Sequence, residues 1–129
     1  DPEWIEKNIG PEANKHRMIF KSFGARSAAE MMGNKDKYQK MITEFSPIFH
    51  VDKNDPPMYL DYREDISVPA KDPNHGIHHG IFGIKLKEEA DKVGVECHLN
   101  IKGYSDPKYK TPIEFVKDKL LAPTLQEKQ

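Results

Sequence analysis

The clearest pattern of apolar and polar positions lies between residues 58 and 101. Residues 58–63 are rich in apolar and aromatic side chains, which predicts a strand. Apolar residues then recur at helical spacing from about 79 to 93, and Gly94 is a typical residue to follow a helix. Residues 95–101 alternate between apolar and polar side chains, as in a half-buried strand. The order predicts a parallel strand–helix–strand unit.

Helix-capping residues predict further helices on both sides of this unit. An acid followed by proline opens the chain, and two sites carry the capping-box pattern of Ser or Thr followed by Glu three positions later. The additional predicted helices span about 1–9, 11–24, 27–33, 34–46 and 111–120. The last of them carries the apolar residues Ile113, Val116 and Leu120, and the polar tail after Pro123 is expected to fray.

Only two segments of the chain predict strands convincingly. The expected fold is a single α/β domain over residues 1–129, with a minimal parallel strand pair and flanking helices. One such unit cannot bury both faces of a parallel sheet. We therefore expect a homodimer through an exposed edge or face of the sheet, or a fragment of a larger fold. The opening Asp-Pro-Glu-Trp, without an initiator methionine, favours the fragment.

Composition narrows the classes of partner. Only 36% of the 129 residues are hydrophobic and 32% are charged, so the predicted core is small. The net charge is -1 and both signs are interspersed, which argues against binding to nucleic acid or to an anionic membrane surface. No apolar run reaches the roughly 20 residues that span a bilayer. Cys97 is the only cysteine, and its position on the apolar side of the second strand predicts an inert core thiol.

Three short motifs surround the first predicted strand: Ser46-Pro47-Ile48, Asp55-Pro56-Pro57 and Asp65-Ile66-Ser67-Val68-Pro69. Together they resemble the C-terminal third of α/β-hydrolases of the esterase and lipase type. In that family such a segment leads into the strand that bears the acid of the catalytic triad. The resemblance implies a partial α/β-hydrolase fold, hydrolysis of small acyl esters without a cofactor, and Asp65 as the triad acid. The alternative for Asp65 is a turn-forming aspartate beside Ser67.

The other parts of such a triad do not follow the family pattern. The G-x-S-x-G motif that carries the nucleophile does not occur, and the loop near Gly103, where the family places its histidine, contains none. The missing groups would come from an absent N-terminal region, from a partner subunit, or from an improvised site. The candidates for an improvised site are Ser67, Ser105, His75, His78 and His79. The non-enzymatic alternative is an inert, self-associating remnant that serves as an interaction module.

The histidine-rich turn also raises a metal-binding alternative. His75 and His78, with Asp72 nearby, are residue types that bind zinc or nickel. No fourth ligand occurs at a characteristic spacing, so a structural role is favoured and no metal is expected. His98 lies on the polar side of its strand, which predicts exposure, and His50 is expected to form only local hydrogen bonds.

Several aromatic residues have two possible roles. Trp4, Tyr38, Phe45, Phe49 and Tyr59 could line an acyl pocket in a hydrolase. Aromatic residues at helical or strand spacing more often form a core. If the sheet lacks its usual neighbours, the same residues form an exposed apolar patch that a dimer would cover.

Overall fold

The computed structural model describes residues 1–121 of the chain. Its sheet contains two parallel strands, β1 (Met58–Tyr62) and β2 (Cys97–Ile101), with Met58 beside Cys97 and Tyr62 beside Ile101. The helices of the described residues are α1 (Pro2–Asn8), α2 (Met18–Lys21), α3 (Ala28–Gly33), α4 (Lys35–Phe45), α5 (Pro73–Ile77), α6 (Ile81–Val93) and α7 (Pro112–Leu121). The class is mixed α/β, as predicted. Two strands do not form the multi-stranded sheet of a complete hydrolase. The tail after Pro123 lies outside the described residues.

The predicted helix ends are confirmed where a side chain caps the backbone. The Asp1 carboxylate accepts the N–H of Glu3 at 2.9 Å at the start of α1. The Ser27 hydroxyl accepts the N–H of Glu30 at 3.0 Å at the start of α3. Gly94 ends α6 with a φ of 85°, a conformation that favours glycine.

Two parts of the helix prediction are wrong. The helix predicted over 11–24 is broken into a 3-10 turn, Ala13–Lys15, and the single turn of α2. Side-chain hydrogen bonds compete with a continuous helix there, since Asn14 donates to the Pro2 carbonyl and His16 accepts the N–H of Met18. In the segment predicted as a loop through Gly76, Asp72 instead caps the short helix α5.

Close packing of α6 on the sheet depends on Gly83. A Cβ atom at this position would lie 2.6 Å from the ring of Tyr62 and 2.8 Å from Leu99. The missing side chain therefore lets the helix approach both strands. The predicted alternation of β2 is confirmed, because Cys97, Leu99 and Ile101 are all buried.

The edge of β2 that faces away from β1 has partners at both ends. Lys87 of α6 extends its ammonium to the carbonyl of Cys97 at 2.9 Å. After β2 the chain turns back, and Ile101 and Tyr104 exchange backbone hydrogen bonds of 2.9 and 2.8 Å. These contacts fix the start of the strand to the helix and its end to the following turn.

The last helix packs through a residue that the spacing argument did not select. Phe115 is buried, and its ring lies 5.6 Å from that of Tyr59. Ile113, Val116 and Leu120 are 66%, 47% and 77% exposed. The predicted apolar face of α7 therefore lies in solvent. No helix within residues 1–121 is long and apolar enough to cross a bilayer.

Candidate functional site

The loop from residue 63 to residue 80, here called the histidine loop, contains most of the polar side chains selected from the sequence. The carboxylate of Asp65 accepts the N–H of Ser67 at 2.9 Å and also the Ser67 hydroxyl. Its other oxygen lies 3.0 Å from the Lys71 ammonium. The pKa of Asp65 lies well below its ordinary range, because three groups stabilise the charged carboxylate. In decreasing order of effect they are the Ser67 hydroxyl, the Ser67 N–H and Lys71. Asp65 is therefore an ionised, turn-organising residue.

His75 is a buried imidazole with both nitrogens in use. Its Nδ1 accepts the N–H of Lys71 at 3.0 Å, which assigns the proton to Nε2. Nε2 faces the carbonyl of Asp65 at 3.2 Å and its carboxylate at 3.3 Å. In a nucleophilic triad one imidazole nitrogen contacts the acid and the other contacts the nucleophile. His75 has no nitrogen left for a serine.

The other two histidines of the loop differ in burial. His79 is fully buried; its Nδ1 accepts the N–H of Ile81 at 3.2 Å, and its Nε2 donates to the carbonyl of Ser67 at 3.2 Å. Burial is the main cause that lowers the pKa of His79, so its ring is neutral at neutral pH. His78 is exposed, and its ring makes no hydrogen bond within residues 1–121.

Within residues 1–121, no hydrogen bond joins the Asp65 carboxylate to His78, His79 or Ser105. Ser105 is exposed in the turn after β2, and no hydrogen bond within residues 1–121 joins it to Asp65 or to a loop histidine. Ser67 is close to Asp65 but donates its hydroxyl to the carboxylate instead of to an imidazole. The structure brings Asp65 and His75 together without a serine–imidazole–carboxylate order.

The residues considered as metal ligands have separate roles. The Asp72 carboxylate accepts the N–H of His75 at 2.8 Å and caps α5. Both nitrogens of His75 are occupied, and His78 lies in solvent. In the described part of the chain, no group of three or more His, Cys, Asp or Glu side chains is arranged to hold a metal ion.

The sequence predicts an exposed His98, and that prediction is wrong. Its side chain is 14% exposed and lies between Asp106, at 3.0 Å from Nδ1, and Glu96, at 2.8 Å from Nε2. Burial opposes ionisation of Asp106, but the N–H of Tyr109 and then His98 lower its pKa overall. Lys119 of α7, followed by His98, lowers the pKa of Glu96 to about 2. The network connects β2 to α7.

A groove with a volume of about 750 Å³ lies between α1, α4 and α6. Binding sites for small molecules in proteins have volumes of about 300–1,000 Å³. Most of the lining is apolar or aromatic and includes Trp4, Ile42, Phe45, Phe49, Phe82 and Leu86. Phe45 and Phe49 are 68% and 59% exposed, so the groove presents large apolar surfaces to solvent.

Of the five aromatic residues considered both for an acyl pocket and for a core, three line one groove. Trp4, Phe45 and Phe49 lie around it. Tyr38 is buried in a separate helical core, and Tyr59 packs against Phe115. The sequence argument missed Phe82, because an apolar helix face gives the same spacing whether it meets a core or a pocket.

Comparison of the chain with protein-family models, with curated proteins and with solved structures gives no match. The similarity to α/β-hydrolases therefore depends on the sequence motifs around β1 alone. The groove and the histidine loop must be interpreted from their own geometry.

Proposed function

We propose that this protein binds small apolar molecules, carrying an aromatic ring or a short acyl chain and including esters, in the groove between α1, α4 and α6. The observation that carries the proposal is the aromatic lining of an open groove of ligand size. Phe45 and Phe49 are largely exposed there, so a ligand would remove apolar surface from water. Such burial contributes roughly 25 cal/mol per Å².

The proposed role is binding without hydrolysis by this chain. The groove is lined by none of Asp65, His78, His79 or Ser105. Asp65 and His75 make their hydrogen bonds within the histidine loop, which supports a structural role for that loop. Descent from an α/β-hydrolase remains part of the proposal, supported by the parallel order of β1, α6 and β2 with an acid just after β1.

Ligand binding can be followed with Trp4, which lines the groove and is the only tryptophan. Titration with butyl phenyl ketone, which cannot be hydrolysed, is expected to change Trp4 emission saturably. Phe49→Ala removes part of the lining and should weaken binding about fivefold, as expected for loss of roughly 1 kcal/mol of apolar contact.

The matched control is Tyr104→Ala, which truncates another half-exposed aromatic residue away from the groove. Its affinity for the ketone should equal that of the unaltered protein. A Trp4 signal that does not saturate, or one that Phe49→Ala and Tyr104→Ala weaken equally, would contradict binding in the groove.

Asp65→Asn tests whether the histidine loop is catalytic. If Asp65 only organises a turn, any slow hydrolysis of p-nitrophenyl acetate by the protein should continue at the same rate in the variant. The triad interpretation instead requires turnover in the unaltered protein that Asp65→Asn abolishes. Addition of EDTA to the same assay tests the metal-binding alternative and should leave the rate unchanged.

A second candidate function, self-association, is favoured by the exposed apolar residues of α7. Ile113 and Leu120 lie on either side of Val116 along one face of the helix. A second copy, related by a two-fold axis near Val116, would place Ile113 of one copy opposite Leu120 of the other. The contact would cover apolar side chains that are otherwise in water.

Light scattering distinguishes this candidate from the first. Self-association through α7 predicts a dimer that Leu120→Glu converts into a monomer, because the charge would be buried at the contact. Met18→Glu introduces the same charge at an exposed apolar residue of α2 and should leave the dimer intact. A monomer at high protein concentration would eliminate this function and leave ligand binding in the groove unaffected.

A further inference from the structure

The charged side chains that line the groove already have partners. The Lys85 ammonium lies 2.8 Å from Glu88, and the Glu89 carboxylate lies 2.9 Å from Lys92. Asp1 accepts backbone N–H groups as the cap of α1. An ionised ligand would have to compete with these neighbours for its counter-charge, whereas a neutral ligand would not.

The uncharged polar side chains of the lining fall into two groups. Ser46 donates its hydroxyl to the carbonyl of Ile42, and Gln39 donates to Thr43 at 3.3 Å. The hydroxyl of Tyr62 and the indole N–H of Trp4 make no hydrogen bond within residues 1–121. Both of these groups are hydrogen-bond donors, so the groove offers donors to a ligand that carries an acceptor.

Tyr62 is the more firmly positioned of the two donors. It is the last residue of β1, and its ring lies against the backbone of Gly83 in α6. Burial raises the pKa of Tyr62, so the hydroxyl retains its proton at neutral pH and can donate it. Because strand and helix both contact the ring, little conformational freedom remains to be lost when a ligand binds.

We propose that the hydroxyl of Tyr62 selects the ligand of the groove, donating a hydrogen bond to the carbonyl oxygen of a neutral aryl or acyl ketone or ester. This inference depends on the proposed binding function and specifies its ligand class. A ligand without an acceptor is disfavoured, because the Tyr62 hydroxyl would lose its contact with water and gain no partner.

The test uses two probes of equal length, butyl phenyl ketone and pentylbenzene, which differ only in a carbonyl group against a methylene group. The unaltered protein should bind the ketone more tightly, by about three- to tenfold beyond their difference in hydrophobicity, which corresponds to one net hydrogen bond. Tyr62→Phe retains the ring and should abolish this excess preference, weakening ketone binding and strengthening pentylbenzene binding, because no hydroxyl is then left without a partner. The matched control, Tyr104→Phe, removes a hydroxyl outside the groove and should retain the preference.

The outcomes separate this inference from the function on which it depends. If neither probe binds, the proposed function fails. If both probes bind but Tyr62→Phe retains the ketone preference, Tyr62 does not select the ligand, and the binding function stands. Tighter binding of p-butylbenzoate than of the ketone would also overturn the inference, because it would show selection for charge.

Discussion

The histidine loop and the groove differ in almost every property used to recognise a functional site. The loop is rich in titratable side chains, yet His75 and His79 are buried and their ring nitrogens have backbone partners. The groove is poor in titratable side chains, but it is open, large and lined by exposed aromatic residues. Polar groups that satisfy each other stabilise a fold, whereas surfaces without partners remain able to bind. Residue type alone therefore does not identify a surface that is able to bind a ligand.

Substitutions in the histidine loop are therefore expected to lower the free energy of unfolding more than substitutions in the groove. Gly76→Ala should have the largest effect, because its new Cβ would lie 2.3 Å from the Cβ of Ala13 and 2.5 Å from its Cα. We expect a loss of about 3 kcal/mol in the free energy of unfolding, typical of overpacking, measured by urea denaturation. Gly33→Ala places a methyl group in open space and should change stability by less than about 1 kcal/mol. Equal losses for both variants would contradict close packing at Gly76.

A second prediction concerns the pH dependence of the loop. Because burial lowers the pKa of His79, the folded protein favours the neutral ring. Its contribution to stability is complete above about pH 6.5, the ordinary histidine value, and is lost as the pH falls below it. The urea concentration at the unfolding midpoint should therefore decrease as the pH is lowered from about 7.5 to about 5.5. His79→Gln should make this decrease smaller.

His78→Gln is the matched control, since His78 is an exposed imidazole of the same loop. Its urea midpoint should follow that of the unaltered protein at every pH. If His78→Gln, and not His79→Gln, flattened the dependence, the buried histidine would not be the acid-sensitive group.

The smallest effect on stability is expected in the groove. Phe45 is 68% exposed, so Phe45→Ser should change the free energy of unfolding by no more than about 0.5 kcal/mol. The same variant should weaken binding of butyl phenyl ketone about fivefold, because the ring is part of the lining. A large loss of stability with unchanged ketone binding would show that Phe45 supports the fold and not the groove, contrary to this prediction.

The fold was predictable wherever a local rule acted without competition. Asp1 and Ser27 cap helices as their positions predict, and the alternation over β2 correctly identifies its buried residues. Local rules failed where tertiary contacts decide. Asn14 contributes to interrupting the predicted second helix by bonding to Pro2, twelve positions earlier. On α7, Phe115 is buried because Tyr59 of β1 packs against it. The helical spacing of apolar residues does not show which residue of another element packs against the helix.

The candidate site was predictable only in part. Phe45 and Phe49 could be suspected from their aromatic character, but their grouping with Phe82 depends on how two distant segments of the chain pack. The catalytic interpretation of Asp65 could not be tested from the sequence, because it depends on which atoms the imidazole of His75 contacts. Hydrogen-bond partners of this kind are properties of the folded chain.

The contacts along the outer side of β2 have a consequence for aggregation. In a parallel pair the backbone groups of alternate residues face each neighbour, and Glu96 bonds to β1, so Cys97, Leu99 and Ile101 face outward. The Lys87 ammonium bonds to the backbone of Cys97, and the backbone of Tyr104 bonds to that of Ile101. An incoming strand that tried to extend the sheet on this side would first have to displace an ammonium group and a turn, which protects this edge of the sheet against fibrous polymerisation.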